Sequence, residues 1–200
     1  MNQNPLSNKN LWIVVLLGVG LSVIAGLLIT KRLVLGGKKN YSSYRWFKDK
    51  KTRNIVENLH PKFRYKVAEF FSKIEDKLGF TAYGTSGYRT FKQQQELHKQ
   101  NSSNAKAGYS THNYGFAIDI NVKDKNGNIF LRKSDSSKKW RDSGVVRLSE
   151  NLGFLWGGDG NFGSYHDPVH FYIKPKGKST SELLALHKYG KIDDDGYVLV

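Results

Sequence analysis

The chain has 200 residues, with 32 lysines and arginines against 17 aspartates and glutamates, a formal charge of +15 at neutral pH and no cysteine. That length suits one ordinary domain plus an extension. The missing cysteine excludes thiolate catalysis, disulfide bridges and any cysteine-based metal site, so a transition metal would be held by His, Asp or Glu.

Only six histidines are available for that: His60, His98, His112, His166, His170 and His187. The positive charge fits a solvated basic surface or attraction to a polyanion, such as nucleic acid, anionic cell-wall polymer or lipid headgroups. No nucleic-acid-binding module is visible, and no nucleic-acid partner is expected. The sequence shows neither a disorder signature nor an internal repeat.

The first forty residues read as a separate object. Leu11 to Ile29 carries no charge; as a helix it would span roughly 28 Å, about the hydrocarbon thickness of a bilayer. Trp12 stands at one end, and Lys31 with Arg32 stops the run at the other. A cleaved signal peptide is the rival, but the run is long for one and no clear cleavage site follows. The expectation is a membrane anchor and linker over residues 1–40 and a folded domain over 41–200. The basic flank Lys31, Arg32, Lys38 and Lys39 would favour the cytoplasm for the C-terminal side.

Beyond the linker, Pro61 opens a helix in its first turn. Val67, Phe70, Phe71, Ile74 and Leu78 recur at helical spacing, and Gly79 ends it. Phe80 to Tyr83 reads as a strand leading into Gly84 to Arg89. A second helix runs from about Phe91 to Lys99, followed by a polar loop to Tyr109. Phe116, Ile118, Ile120 and Val122 alternate with Ala117, Asp119 and Asn121, so Asp119 projects from a strand opposite an apolar stripe. Asp124 to Asn128 is turn material. One helix is expected between Ser137 and Leu152, a strand at Phe154 to Trp156, another at His170 to Ile173, and a last helix capped by Ser179 and Glu182. Gly196 to Val200 reads as a small strand. Helices and strands mix without βαβ regularity, which indicates an α+β fold.

His112 and Asp119 lie seven residues apart across Gly115, and His170 begins a second strand. Two adjacent strands could bring them together as a two-histidine, one-carboxylate zinc set with a position left for water. Asp167, three residues before His170 and stiffened by Pro168, is a candidate general base. Arg89 could stabilise an oxyanion or clamp a substrate carboxylate. Spacing alone leaves other readings open, since any one of these histidines could be an ordinary core or surface residue.

Ser110-Thr-His112-Asn-Tyr-Gly115-Phe-Ala117-Ile-Asp119 resembles the Ser-x-His-x-x-Gly-x-Ala-x-Asp signature of the LAS-type zinc peptidases, which include D-alanyl-D-alanine carboxypeptidases and L-alanyl-D-glutamate endopeptidases. The resemblance takes in Ser86-Gly-Tyr-Arg89-Thr with Gln94, Leu152-Gly-Phe-Leu-Trp156-Gly-Gly-Asp159 and Asp167-Pro-Val-His170-Phe, roughly residues 55 to 175. It implies a small antiparallel sheet with flanking helices around a zinc ion held by His112, Asp119 and His170. It also implies Asp167 as base, Arg89 as transition-state stabiliser, and Ser110, Gln94, Trp156 and Asp159 beside the substrate.

The implied substrate is the peptide stem of peptidoglycan, with the wording closer to the endopeptidase branch. A D,D-carboxypeptidase and a non-catalytic, wall-binding zinc module are the alternatives. The implied location is a membrane-tethered domain facing the wall, which the basic flank after residue 29 opposes; a phage-derived lysin would share these features. The sequence departs from the family at Gly160, over Asn161 to His166, and in placing its proline two residues before His170. These departures bear on subsites more than on catalysis.

Overall fold

The structure, a computed structural model, describes residues 47–160 and 165–200. The expected membrane anchor over residues 1–40 lies outside them. Among the described residues no helix is long and apolar enough to cross a membrane.

Helix α1 (Lys50–Glu57) opens on Asp49, whose carboxylate accepts both the N–H and the hydroxyl of Thr52 at 2.8 and 2.6 Å. The same buried hydroxyl accepts the Gly84 N–H at 3.0 Å, which ties α1 to the first strand. The apolar stripe read in the sequence forms α2 (Pro61–Leu78), which ends on Gly79 in the left-handed conformation. Phe63, Val67, Phe70, Phe71 and Ile74 are buried along it. Burying each such side chain contributes about 1.5–3 kcal/mol.

The sheet contains β1 (Thr81–Ser86), β2 (Ala117–Lys123), β3 (Ile129–Leu131), β4 (Leu155–Trp156) and β5 (His170–Tyr172). Its order is β1-β2-β5-β4, with β3 also on β2, and every pairing is antiparallel. Ile118, Ile120 and Val122 of β2 join the α2 stripe in one core, where the Phe70 ring lies 5.1 and 5.2 Å from those of Phe154 and Phe171. The expected α+β architecture, a small antiparallel sheet with flanking helices, is the one observed.

Helix α3 (Phe91–Gln100) carries a full capping box between Thr90 and Gln93. The single helix expected over Ser137 to Leu152 is two, α4 (Ser137–Asp142) and α5 (Val145–Asn151). Gly144, at φ +81°, breaks the run. Helix α6 (Thr180–Lys188) starts at the Ser179/Glu182 capping box. The expected C-terminal strand is reduced to one bridge, Ile192 with Val198.

That tail docks on His60, the N-cap of α2. The His60 Nδ1 accepts the Lys62 N–H at 3.1 Å, so Nε2 carries the proton and donates to the Val198 carbonyl at 3.1 Å. The His60 backbone N–H donates to the Gly115 carbonyl, and its ring stacks on Phe116 at 4.2 Å. A Cβ on Gly115 would stand 2.5 Å from the His60 nitrogen, and its φ is +71°, so glycine is required.

Burial lowers the His60 pKa, against the opposing Val198 hydrogen bond and Asp193. The unfolded histidine titrates near 6.5. Above that pH both states are neutral and His60 contributes no pH dependence. Below it the unfolded chain takes up a proton that the folded ring resists, so stability falls as pH falls. The melting temperature should therefore drop on acidification below about pH 6.5. A His60→Gln variant, which keeps a donor and an acceptor, should show a shallower drop in the same thermal scans.

Candidate metal centre

Three short pieces of chain converge on one point. A 3-10 turn (Thr111–Tyr114) carries His112; the half-buried Ser110 caps it, accepting the His112 N–H at 3.3 Å. Strand β2 carries Asp119, and β5 begins with His170. In the ladder Asp119 stands directly opposite His170, so the two side chains share a face.

The His112 Nε2 lies 3.2 Å from Asp119 Oδ1 and 3.1 Å from His170 Nδ1, and the last two atoms are 2.9 Å apart. A tetrahedral zinc ion with ligands at about 2.0–2.1 Å separates its donors by roughly 3.3 Å. The triangle is therefore the size of one face of such a site, and it is the one His/Asp/Glu cluster of metal-binding geometry among the described residues.

Each donor is aimed from behind. The His112 Nδ1–H donates to the Gly87 carbonyl at 2.5 Å, which leaves the Nε2 lone pair facing the centre. The His170 Nε2 faces the Thr111 hydroxyl at 3.5 Å. Asp119 Oδ2 lies 3.5 Å from the Arg89 guanidinium. Burial holds the His112 ring below its ordinary pKa. Burial alone would raise Asp119, but the His112 and His170 rings outweigh it and hold the carboxyl well below the usual carboxylate range. His112 is thus favoured as neutral imidazole beside an ionised Asp119 carboxylate, the protonation states a cation requires.

Arg89 sits between carboxylates. Burial lowers its pKa, while Asp119 and Asp167 draw it back up. Its Nη1 donates to Gln94 Oε1 at 3.0 Å, and its buried Nε–H has no hydrogen-bond partner among the described residues. Asp167 is held in a turn: its N–H donates to the Gly157 carbonyl, its carbonyl accepts the His170 N–H, and the Gly157 N–H donates to the His170 carbonyl. The buried Asp167 Oδ1 accepts no hydrogen bond there either.

Lys133 faces that oxygen at 3.4 Å as an ion pair without hydrogen-bond geometry. Burial would lower the lysine pKa, but the Asp167 carboxylate and Tyr165 outweigh it and raise it. Nothing in the sequence marks Lys133 among so many basic residues. Its loop is nevertheless built: Arg132 takes a hydrogen bond on each side, from its N–H to Asp135 and from Trp140 Nε1 to its carbonyl.

Gln94, Trp156 and Asp159, expected beside the substrate, each bond to other protein groups in this structure. Gln94 is 1 % exposed and spends its amide on Arg89 and on the Ala105 carbonyl at 2.7 Å, so it positions the arginine. Trp156 is equally buried; its indole N–H donates to the Pro168 carbonyl at 2.7 Å and braces the Asp167 turn. Asp159 pairs with both Nε and Nη2 of Arg141, whose guanidinium lies over the Trp156 ring.

The purified chain should carry zinc. His170→Ala should lose most of it while keeping its far-ultraviolet circular dichroism, as read by elemental analysis of matched samples.

The sequence pattern of the M15 peptidase family described as D-alanyl-D-alanine carboxypeptidase matches residues 103–173. The peptidoglycan L-alanyl-D-glutamate endopeptidase CwlK of Bacillus subtilis is 30% identical over 134 residues, 60% of this chain and 78% of that protein. Among solved structures, the L-Ala D-Glu endopeptidase ChiX of Serratia marcescens aligns at 17% identity with a TM-score of 0.47, over 64% of this chain and 90% of that one. The Zn(II) complex of the vancomycin-resistance D,D-pentapeptidase VanY aligns at 18% identity and 0.46, over 64% and 78%. On the extent and identity of the CwlK match, the chain belongs to the M15 peptidase family.

Proposed function

We propose that this chain is a zinc peptidase that cuts the peptide stem of peptidoglycan, at the L-alanyl-D-glutamate bond. The observation that carries the chemistry is the closed His112–Asp119–His170 triangle flanked by two buried polar atoms that make no hydrogen bond among the described residues, Arg89 Nε and Asp167 Oδ1. The choice of bond is supported by the likeness to CwlK, whose name specifies it.

His112 Nε2, Asp119 Oδ1 and His170 Nδ1 would hold the ion. When bound, zinc supplies Lewis-acid chemistry, acidifying a water and polarising a carbonyl. Asp167 accepts the proton of the attacking water at its carboxylate and returns it to the leaving amine. Arg89 meets the negative charge that develops on the carbonyl oxygen, with a guanidinium already held by Gln94 and Asp119. Lys133 holds the Asp167 carboxylate in place between turnovers. Residues 11–29 are proposed as a membrane tether, which resistance to carbonate extraction of membranes would test.

Mass spectrometry of products from a defined muropeptide tests the bond. Release of a fragment beginning at D-glutamate supports the endopeptidase reading, release of terminal D-alanine would replace it with a carboxypeptidase, and an intact substrate would leave only wall binding. Asp167→Ala should keep its zinc and lose about 10²–10⁴-fold in kcat. Lys133→Met should lower kcat by up to about fivefold, the scale of a half-exposed ion pair, with KM unchanged and activity restored by Lys133→Arg.

A further inference from the structure

The segment that carries Arg89 also lines a second concavity. Its backbone is clamped at both flanks of Tyr88: the Gly87 carbonyl accepts from His112 Nδ1, the Arg89 N–H donates to the His112 carbonyl, and the Arg89 carbonyl accepts from Asn113 Nδ2 at 2.9 Å. Between these anchors the Tyr88 ring is 43% exposed, and its hydroxyl makes no hydrogen bond among the described residues.

The ring lines a groove of about 560 Å³ together with Lys50, Lys51, Asn54, Asn58 and Gln93. On its other side it also lines a smaller cavity of about 280 Å³ with Phe91, Tyr197 and His187. Gln93 joins the large groove to a further depression lined by Arg89 and Lys92, so the surface runs from Tyr88 to the arginine of the metal centre.

The groove's polar chemistry is specific. Lys50, Asn54 and Asn58 stand on successive turns of one face of α1. The Asn54 carboxamide makes no hydrogen bond among the described residues, and Asn58 spends only its amide hydrogens, on the Asn54 carbonyl. Gln93 uses its oxygen in the capping box and keeps its NH₂ free. No carboxylate lines the groove. Neutral amides that both donate and accept, beside the face of an exposed aromatic ring, match a molecule with hydroxyl and acetamido groups and an apolar C–H face. Lys50 and Lys51 also line it, so a phosphate polymer is the competing occupant.

We infer that this groove holds the glycan strand, the acetylated amino sugar to which the stem peptide is attached. The inference rests on the peptidase reading and sharpens it. In the first stem residue the carbonyl is the scissile one, and its nitrogen is already joined to the sugar. Only the lactyl arm and one residue, about 7 Å of extended chain, therefore separate the sugar ring from the reacting carbonyl. An enzyme cutting there must seat the sugar next to its metal, whereas one trimming the far end of the stem need not.

Two measurements on the full chain test this. The first is binding of stem-free glycan strands to wild type, Asn54→Ala and Tyr88→Leu by calorimetry, with a glycerol-phosphate polymer as the comparison probe. Glycan affinity should fall about tenfold in each variant, about 1.4 kcal/mol. The second is the ratio of kcat/KM on a disaccharide-linked stem to that on the same stem without sugar; this ratio should exceed one in wild type and fall in both variants. Glycan affinity unchanged in the exposed Asn54→Ala variant, an unchanged ratio, or binding of the phosphate polymer alone would overturn the inference. If wild type cuts neither substrate yet binds glycan through Asn54 and Tyr88, the groove stands and the peptidase reading falls.

Discussion

The arrangement depends on one cross-strand register. Asp119 on β2 lies directly opposite His170 on β5, and a slip of one residue would turn either side chain to the opposite face. The register is fixed from one face and one edge of the sheet. On the apolar face, Ile118 and Ile120 are fully buried beside Phe171. At the edge, the paired hydrogen bonds between Gly157 and the Asp167–His170 turn hold the start of β5 against β4. The core thus sets the metal triangle indirectly, through strands too short to hold register alone.

Electrostatics complete what the register begins. The centre alternates charge outward from Asp119: Arg89 stands between Asp119 and Asp167, and Lys133 pairs with Asp167. A buried carboxylate near a buried arginine is stable only when each finds a counter-charge. Adding a divalent cation to the triangle leaves Asp119 neutralised from both sides and Arg89 oriented toward whatever negative charge arrives.

Much of this was legible in the sequence, for identifiable reasons. Helix α2 announced itself by a regular aromatic stripe between Pro61 and Gly79, and α6 by its capping box, because those signals are local. The ligands were legible because His112, Gly115 and Asp119 form a dense motif. Helix α1 was missed because only Thr52 and Val56 of it are buried, too few to show a period. Strand β3 is three residues long and takes its identity from β2. The contacts of Gln94, Trp156 and Asp159 were not legible because a motif marks which residues matter near a site, not which neighbours each side chain meets. Lys133 had no local signal, since its meaning lies wholly in a contact across 34 residues of chain.

The docking of the tail on His60 has a consequence for how the molecule comes into being. The hydrogen bond to Val198 joins residues separated by 138 positions, and the same histidine abuts the glycine that closes the His112 turn. β5 supplies its ligand only after most of the chain exists. Contacts of such long sequence separation form late. A nascent chain emerging in order would build α1, α2 and β1 first and assemble its reactive centre near the end. Synthesis itself would then keep the activity silent until β5 has been made.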